Sequence, residues 1–308
     1  MILVGGEALY DLVLQGPDDA LAGHPGGGPF NTARTIGRLD QPVAYLGRLS
    51  TDRFGDRLAA MLADDGVDLG SVLRTNDPTT LALAEVDDDG VARYRFYERG
   101  TAAPGLTPEA ALAALPADVD ILHVGTLGLT LEPVASALEA VVERLAPSAL
   151  VAVDPNVRPW VIDDPAAYRA RLRRVLGHSH VLKVSEEDLE WLEPGQPPVE
   201  AVRTLLEQGP TLALLTRGPS GALVVTRTAE VAVPAPRAKV VDTIGAGDAF
   251  GGGFLAWWHE RGLTREDLGT IDLAVEATAF ACLVAARTCG RPGASPPYRS
   301  ELPALSRD

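Results

Sequence analysis

Short apolar runs alternating with helical segments constrain this chain more than any other feature. In its second half, residues 121–124, 150–153, 181–184 and 212–215 are apolar runs of strand length. Helical patterns lie between them, for example over 132–145. A strand with no polar face must be covered on both sides. Repeated strand–helix alternation therefore predicts a mainly parallel sheet between two helix layers, a three-layer α/β/α sandwich. Strand-like runs at 2–4 and 43–46 and helices at 31–39 and 54–64 extend the pattern toward the N-terminus. Residues 222–226 and 231–233 read as an antiparallel edge hairpin, and helices over 248–261 and 267–286 close the chain.

Two segments, 9–16 and 80–98, leave the alternation and return to it, as a lid would. In the second, strand-like runs at 81–86 and 92–97 flank Asp87-Asp88-Asp89-Gly90, a hairpin signal. The expectation is one α/β domain over residues 1–308 with a small β-strand lid.

Composition excludes several function classes. The formal net charge is −15 and no Lys/Arg run is present, which argues against nucleic acid and against a polybasic membrane contact. No apolar stretch reaches the ~18 residues that span a bilayer. The first residues have no basic region and too short an apolar run for a signal peptide. A cytoplasmic protein is expected. Cys282 and Cys289, seven apart in one apolar segment, read as small buried hydrophobes. His178 and His180 read as structural, while His24 lies within reach of a ligand.

An anionic ligand would need a locally positive site in so acidic a chain. Residues 242–250, Asp-Thr-Ile-Gly-Ala-Gly-Asp-Ala-Phe, supply one. Gly245, Ala246 and Gly247 follow what reads as a strand end at 239–241 and open a helical pattern. Small residues let several N–H groups point one way, and a helix N-terminus adds partial positive charge. Asp248 at the mouth of such a turn is either a capping residue or a base that takes a proton from an attacking hydroxyl.

The nonapeptide resembles the C-terminal signature of the ribokinase-like (PfkB) carbohydrate kinases, Asp-Thr-x-Gly-Ala-Gly-Asp-x-Phe, at every fixed position. Nearly the whole chain is similar to that family. Gly26-Gly27-Gly28-Pro29-Phe30-Asn31-Thr32-Ala33 resembles its sugar-binding signature, with Gly27, Gly28 and Asn31 implied as sugar contacts. The stretch at 47–56 is similar to the continuation of that signature. Asp11 matches an acidic residue that holds sugar hydroxyls. Residues 154–158, Asp-Pro-Asn-Val-Arg, resemble a segment of fructokinases and 2-keto-3-deoxygluconate kinases, with Arg158 implied at the phosphate or the sugar.

The same resemblance implies ATP contacts at Lys183, Ser185, Thr216, Gly218 and Gly221. It implies Mg²⁺ ordered through water by Glu187 or Asp188, because Ser185 and Asp188 stand where the wider family has Asn and Glu. It also implies a K⁺ site from Asp242, Ile244, Thr288, Arg291 and Gly293, with Pro297 where many members carry Ser. Tyr94 to Ala103 is similar to the fructokinase lid, implying Tyr97 and Arg99 over the substrate and a homodimer through the lid.

The implied activity is ATP-dependent phosphorylation of a primary hydroxyl, with fructose as acceptor. 2-Keto-3-deoxygluconate is the main rival, since an Arg suits a sugar-acid carboxylate, and ribose is a further one. A catalytically idle sugar-binding or regulatory protein on the same fold is the alternative of another class.

Overall fold

The structure is a computed structural model that describes residues 1–15, 20–86 and 92–303. Its strands in chain order are β1 (Ile2–Gly5), β2 (Leu9–Gln15), β3 (Ala20–Gly26), β4 (Val43–Ser50), β5 (Val72–Thr75), β6 (Leu81–Val86), β7 (Ala92–Tyr97), β8 (Ile121–Gly125), β9 (Leu150–Asp154), β10 (Val181–Ser185), β11 (Leu212–Thr216), β12 (Ala222–Val225) and β13 (Glu230–Val233). The α-helices are α1 (Gly28–Arg38), α2 (Arg53–Asp64), α3 (Pro108–Ala113), α4 (Val134–Leu145), α5 (Pro165–Leu176), α6 (Glu186–Leu192), α7 (Pro198–Leu206), α8 (Ala246–Glu260) and α9 (Ile271–Cys289).

Nine strands form one sheet in the order β13-β12-β11-β10-β9-β8-β1-β4-β5. The seven from β11 to β5 are parallel, and β12 and β13 add the antiparallel edge hairpin. The apolar runs explain this arrangement. Successive side chains on a strand point to opposite faces, and here both faces meet helices. Ile2 and Val4 of β1, Leu150 and Ala152 of β9, and Leu212 and Leu214 of β11 pack in one core with α1, α8 and α9. Leu3, Val151, Val153, Ala213 and Leu215 pack in a second core with α4, α5 and α7. The three-layer α/β/α reading holds.

A second sheet has the order β3-β2-β6-β7. It unites the two segments that left the alternation. β2 runs antiparallel to β3 and parallel to β6, and β6 pairs antiparallel with β7. The Asp-Asp-Asp-Gly turn lies outside the described residues.

Three readings change. β3 carries Gly23, Pro25 and Gly26 and β5 is four residues long, so neither has a clean alternation, and both owe their pairing to neighbours. The run 239–241 is not a strand. Val240 and Val241 are exposed, and the backbone N–H groups of Val241 and Asp242 bond the Cys289 carbonyl at the end of α9. Helix α1 starts at Gly28, one residue before the start expected near Pro29, which suits a first helical turn.

Of three consecutive glycines in α8, Gly252 and Gly253 face close neighbours. A Cβ on Gly252 would lie 2.8 Å from Thr35 and 3.0 Å from the Thr32 carbonyl of α1. A Cβ on Gly251 meets nothing within 4 Å. Gly252→Val should therefore overpack the α1–α8 contact and cost about 1–3 kcal/mol. Gly251→Ala should instead stabilise the helix by about 0.5–1 kcal/mol. Urea denaturation of the two variants checks both the opposite signs and the sizes.

Candidate active site

A cleft of about 840 Å³ opens between the large sheet and the small one. Its floor follows from the parallel strands. In open α/β sheets ligands bind beyond the carboxyl ends of the strands. Glu7, Thr126, Asn156, Ser185 and Thr216 all line the cleft, and each sits at or just past the end of β1, β8, β9, β10 or β11, while Lys183 reaches it from within β10.

On one wall, Gly245 takes φ +74° and caps α8. Gly245, Gly247 and Asp248 line the cleft, whereas the Ala246 N–H turns back to the Thr243 carbonyl at 3.2 Å and is not free for an anion. Ala246 is the first residue of α8. Asp248 lies in the helix's first turn, 9% exposed. Asn31 of α1 donates from Nδ2 to Asp248 Oδ2 at 2.9 Å. Burial pushes the Asp248 carboxyl up, while the Asn31 hydrogen bond and the charges of Lys183 and Arg158 pull it back. Asp248 also caps nothing through its side chain, which weakens the capping reading.

Beneath the turn lies Lys183, whose Nζ is 3.1 Å from where a Gly247 Cβ would stand. Its ammonium bonds Asp154 Oδ2 at 2.7 Å. Burial lowers the Lys183 pKa, but attraction to Asp154 and Asp188 outweighs it and holds the group charged above its ordinary value. Burial pushes Asp154 up to about 6 against the pull of Lys183. An acidic chain thus places a fixed cation where an anion would bind.

The opposite wall comes from the small sheet and α1. Asp11 of β2 faces His24 of β3 in register, and both line the cleft with Gly27 and Gly28. Burial raises Asp11 to about 6, and His24 and Arg158 draw it back down. Arg158 lines the cleft and bonds the carbonyls of Asn156 and Val157 at 3.1 Å each. Gly27 has φ +111°, and a Cβ there would stand 2.6 Å from the Glu7 carbonyl, so only glycine fits.

Several expected residues lie elsewhere. Tyr97 is half-exposed and Arg99 is 90% exposed beside Glu98, and neither lines the cleft. Strand alternation is the reason: Phe96 turns inward, so its neighbour Tyr97 turns out. Gly221 is glycine because a Cβ would overlap the Val233 carbonyl, and neither it nor Gly218 lines the cleft. Asp188 is buried, and both its oxygens are spent. Oδ1 accepts from Val157 N at 2.6 Å, and Oδ2 accepts from the backbone and hydroxyl of Ser185. It closes a capping box for α6, which leaves exposed Glu187 as the cleft carboxylate.

Of the carbonyls implied for K⁺, those of Thr288 and Gly293 already accept N–H groups. The Thr288 hydroxyl bonds Val284, and its carbonyl accepts N–H groups from Gly290 and Arg291. The Gly293 carbonyl is taken by Ser295 N, and the Arg291 side chain pairs with Glu301. The Asp242 carboxylate accepts from Ile244 N and Gly293 N, tying the two loops together. Pro297 has no hydroxyl to offer.

Family comparison agrees with this geometry. The pfkB family carbohydrate kinase pattern matches residues 2–301. The chain belongs to that family. This kinase is 36% identical over 279 residues to a fructokinase of Rhizobium leguminosarum bv. trifolii, covering 88% of the chain and 84% of that protein. Its fold is similar to the crystal structure of a fructokinase with bound ATP from Xylella fastidiosa, with TM-score 0.87, 31% identity and coverage of 95% and 93%. It is also similar to a Vibrio cholerae fructokinase structure in its fructose, ADP and calcium ion bound form, with TM-score 0.83, 27% identity and coverage of 95% and 94%.

Sequence reasoning missed Glu7, Thr126 and Asp154. Glu7 is 2% exposed. Its oxygens accept from Gly28 N at 3.2 Å and Gly128 N at 2.9 Å, joining the two loops that flank the acceptor side. Thr126 and Asn156 take φ +53° and +37°, a region that costs a non-glycine residue energy and clusters at functional sites. A carboxylate at the end of a buried parallel strand was the signal available for Glu7 and Asp154.

Burial pushes Glu7 up to about 8, with its backbone hydrogen bonds opposing. An unfolded Glu titrates near 4.5, so the folded enzyme holds the extra proton between about pH 5 and 8. That contribution to stability is complete at low pH and is lost as pH rises through 8. Relative to Glu7→Gln, the wild type should lose stability across this window by up to about 1.4 kcal/mol per pH unit. Urea midpoints of both proteins at pH 5, 6, 7 and 8 test it.

Proposed function

We propose that this kinase transfers the γ-phosphate of ATP to a primary hydroxyl of fructose, with residues 1–308 acting as one catalytic unit and the small sheet as its lid. The observation that carries the reading is Asp248. It is a buried carboxylate at a helix N-terminus, one residue after an anion-binding turn, in the same cleft as Asp11, Asn31 and Arg158. The fructose ligand of the Vibrio cholerae protein and the ATP of the Xylella fastidiosa protein support the two substrates.

Each residue has a chemical task. Asn31 occupies Asp248 Oδ2, which leaves Oδ1 for the acceptor hydroxyl. As the sugar oxygen bonds to phosphorus, its proton passes to Oδ1 and the bond from phosphorus to the ADP oxygen breaks. N–H groups at Gly245 and Gly247 and the Lys183 ammonium stabilise the charge that gathers on the phosphoryl oxygens, while the expected Ala246 N–H is taken by the Thr243 carbonyl. Asp11 and Arg158 hold the sugar's hydroxyls, and Phe96 with Leu9 and Leu127 supplies the apolar side. A second cavity of about 430 Å³, whose lining includes apolar Ala238, Val241, Leu283 and Ala286 and cationic Arg237, Lys239, Arg287 and Arg291, offers a place for the nucleotide's base.

Mg²⁺ favours waters, phosphates and one or two carboxylates, and Glu187 offers such a carboxylate in the cleft. Glu187 would order it through water, and the ion would neutralise phosphate charge. No step is derived through K⁺. Leu21 and Tyr97, exposed on the small sheet, supply an apolar face for pairing with a second copy.

Two experiments bear on the reading. Asp248→Asn should lower kcat by about 10²–10⁴-fold while ADP binding by calorimetry stays near the wild-type value. Unchanged turnover would remove Asp248 from its role. A coupled ADP-release assay should rank fructose above 2-keto-3-deoxygluconate, ribose and adenosine. Sugar binding without ADP release would favour the idle protein instead.

A further inference from the structure

Helix α1 carries more of the site than Asn31. Arg34 and Arg38 follow at spacings of three and seven, on the same face. Both reach Asp65, which follows the end of α2. Arg34 Nε bonds Asp65 Oδ2 at 2.7 Å, and Arg38 Nε bonds Oδ1 at 2.8 Å. All three residues are largely buried. Each guanidinium then uses a second nitrogen on the C-terminal loop. Arg34 Nη1 donates to the Ala294 carbonyl at 3.2 Å, and Arg38 Nη1 donates to the Pro296 carbonyl at 2.7 Å. Arg38 also lies over the Tyr298 ring at 4.6 Å.

That loop has no strand or helix of its own at 292–298, yet it borders the anion-binding turn. Gly293 and Ala294 line the cleft. Gly293 N donates to Asp242 Oδ2 at 2.8 Å. Ala294 sits so close to Gly245 that a Cβ there would stand 2.6 Å from the Ala294 Cβ. A buried ion cluster is a weak source of stability, since well-packed apolar groups commonly do as well. Its forked geometry does something else. A guanidinium can hold a carboxylate with one edge and a carbonyl with another, which an ammonium on a flexible stem cannot reproduce.

We propose that Arg34, with Asp65 and Arg38, is a positioning residue for phosphoryl transfer. The cluster fixes the 293–296 loop against Gly245 from the same rigid helix that holds Asp248 through Asn31. The anion-binding turn and the base are thereby kept in one register. This deepens the proposed function and rests on its reading that the phosphates sit at the turn.

The test compares Arg34→Lys with wild type, measuring ADP affinity and fructose affinity by calorimetry and KM for ATP by steady-state kinetics. Arg34→Lys keeps the charge and the Asp65 pairing but loses the fork. It should weaken ADP binding and raise KM for ATP by about tenfold, with fructose affinity within about twofold of wild type. Arg171→Lys is the control for lost stability, since Arg171 joins α5 to Glu132 and to Glu139 of α4. It should lower Tm without moving either affinity. Wild-type ADP affinity in Arg34→Lys, or an equal loss for ADP and fructose, would overturn the proposal. If Arg34→Lys does not fold, Arg38→Lys gives the same readout, with about threefold expected. A wild type that binds ADP yet phosphorylates no sugar would defeat the proposed function, and the ADP comparison would still decide the role of the cluster.

Discussion

The hydrogen bond from Asn31 to Asp248 joins two helices that are 217 residues apart in sequence. α1 brings the glycine-rich acceptor segment, and α8 brings the anion-binding turn. The contact requires the helices to approach closely, which Gly252 permits against Thr32 and Thr35. Both helices lean on the same face of the large sheet. Without that common support, the acceptor segment and the base would be two unrelated loops.

Electrostatics follow from the same burial. The chain is strongly acidic, and the cleft collects Glu7, Asp11 and Asp248, with Asp154 buried behind Lys183, all pushed upward by desolvation. Against them stand Lys183 and Arg158. Lys183 keeps its charge because Asp154 lies beside it, and the ammonium faces Gly247 of the turn. The cleft is therefore locally cationic where a phosphate would sit and carboxylate-rich where hydroxyls would sit. Such a division suits a reaction that brings a polyanion to a polyol. His123, buried next to this group, is pushed down to about 3 and stays neutral, so it adds no competing charge.

Much of this was legible in the residues. The apolar runs told which strands are covered on both faces, and the Gly-Ala-Gly-Asp segment told where an anion would bind. Gly27, Gly28, Asn31, Asp11 and Arg158 were found from motif resemblance, and the structure brings them to one cleft. Tyr97 and Arg99 were misplaced because motif similarity does not carry strand facing, and a shift of one residue reverses it. The Ser185–Asp188 capping box is local to the start of α6, but the bond from Val157 that takes the other Asp188 oxygen forms only after β9 and β10 pair. The glycine of Gly221 answers to the Val233 carbonyl of β13, a contact made across a hairpin.

By itself, the sequence determined the layer architecture, the anion-binding turn and the kinds of group that meet there. Those depend on local periodicity, backbone freedom and side-chain chemistry, which are properties of short segments. Only the tertiary structure decided which carboxylates stay free to act. Asp248 keeps one oxygen open to the cleft, while both oxygens of Asp188 are consumed inside the protein. The tertiary structure also assembled Arg34, Arg38 and Asp65 behind the turn. Hydrogen-bond satisfaction is a matter of three-dimensional neighbours, and strands far apart in the chain become neighbours only when the sheet forms.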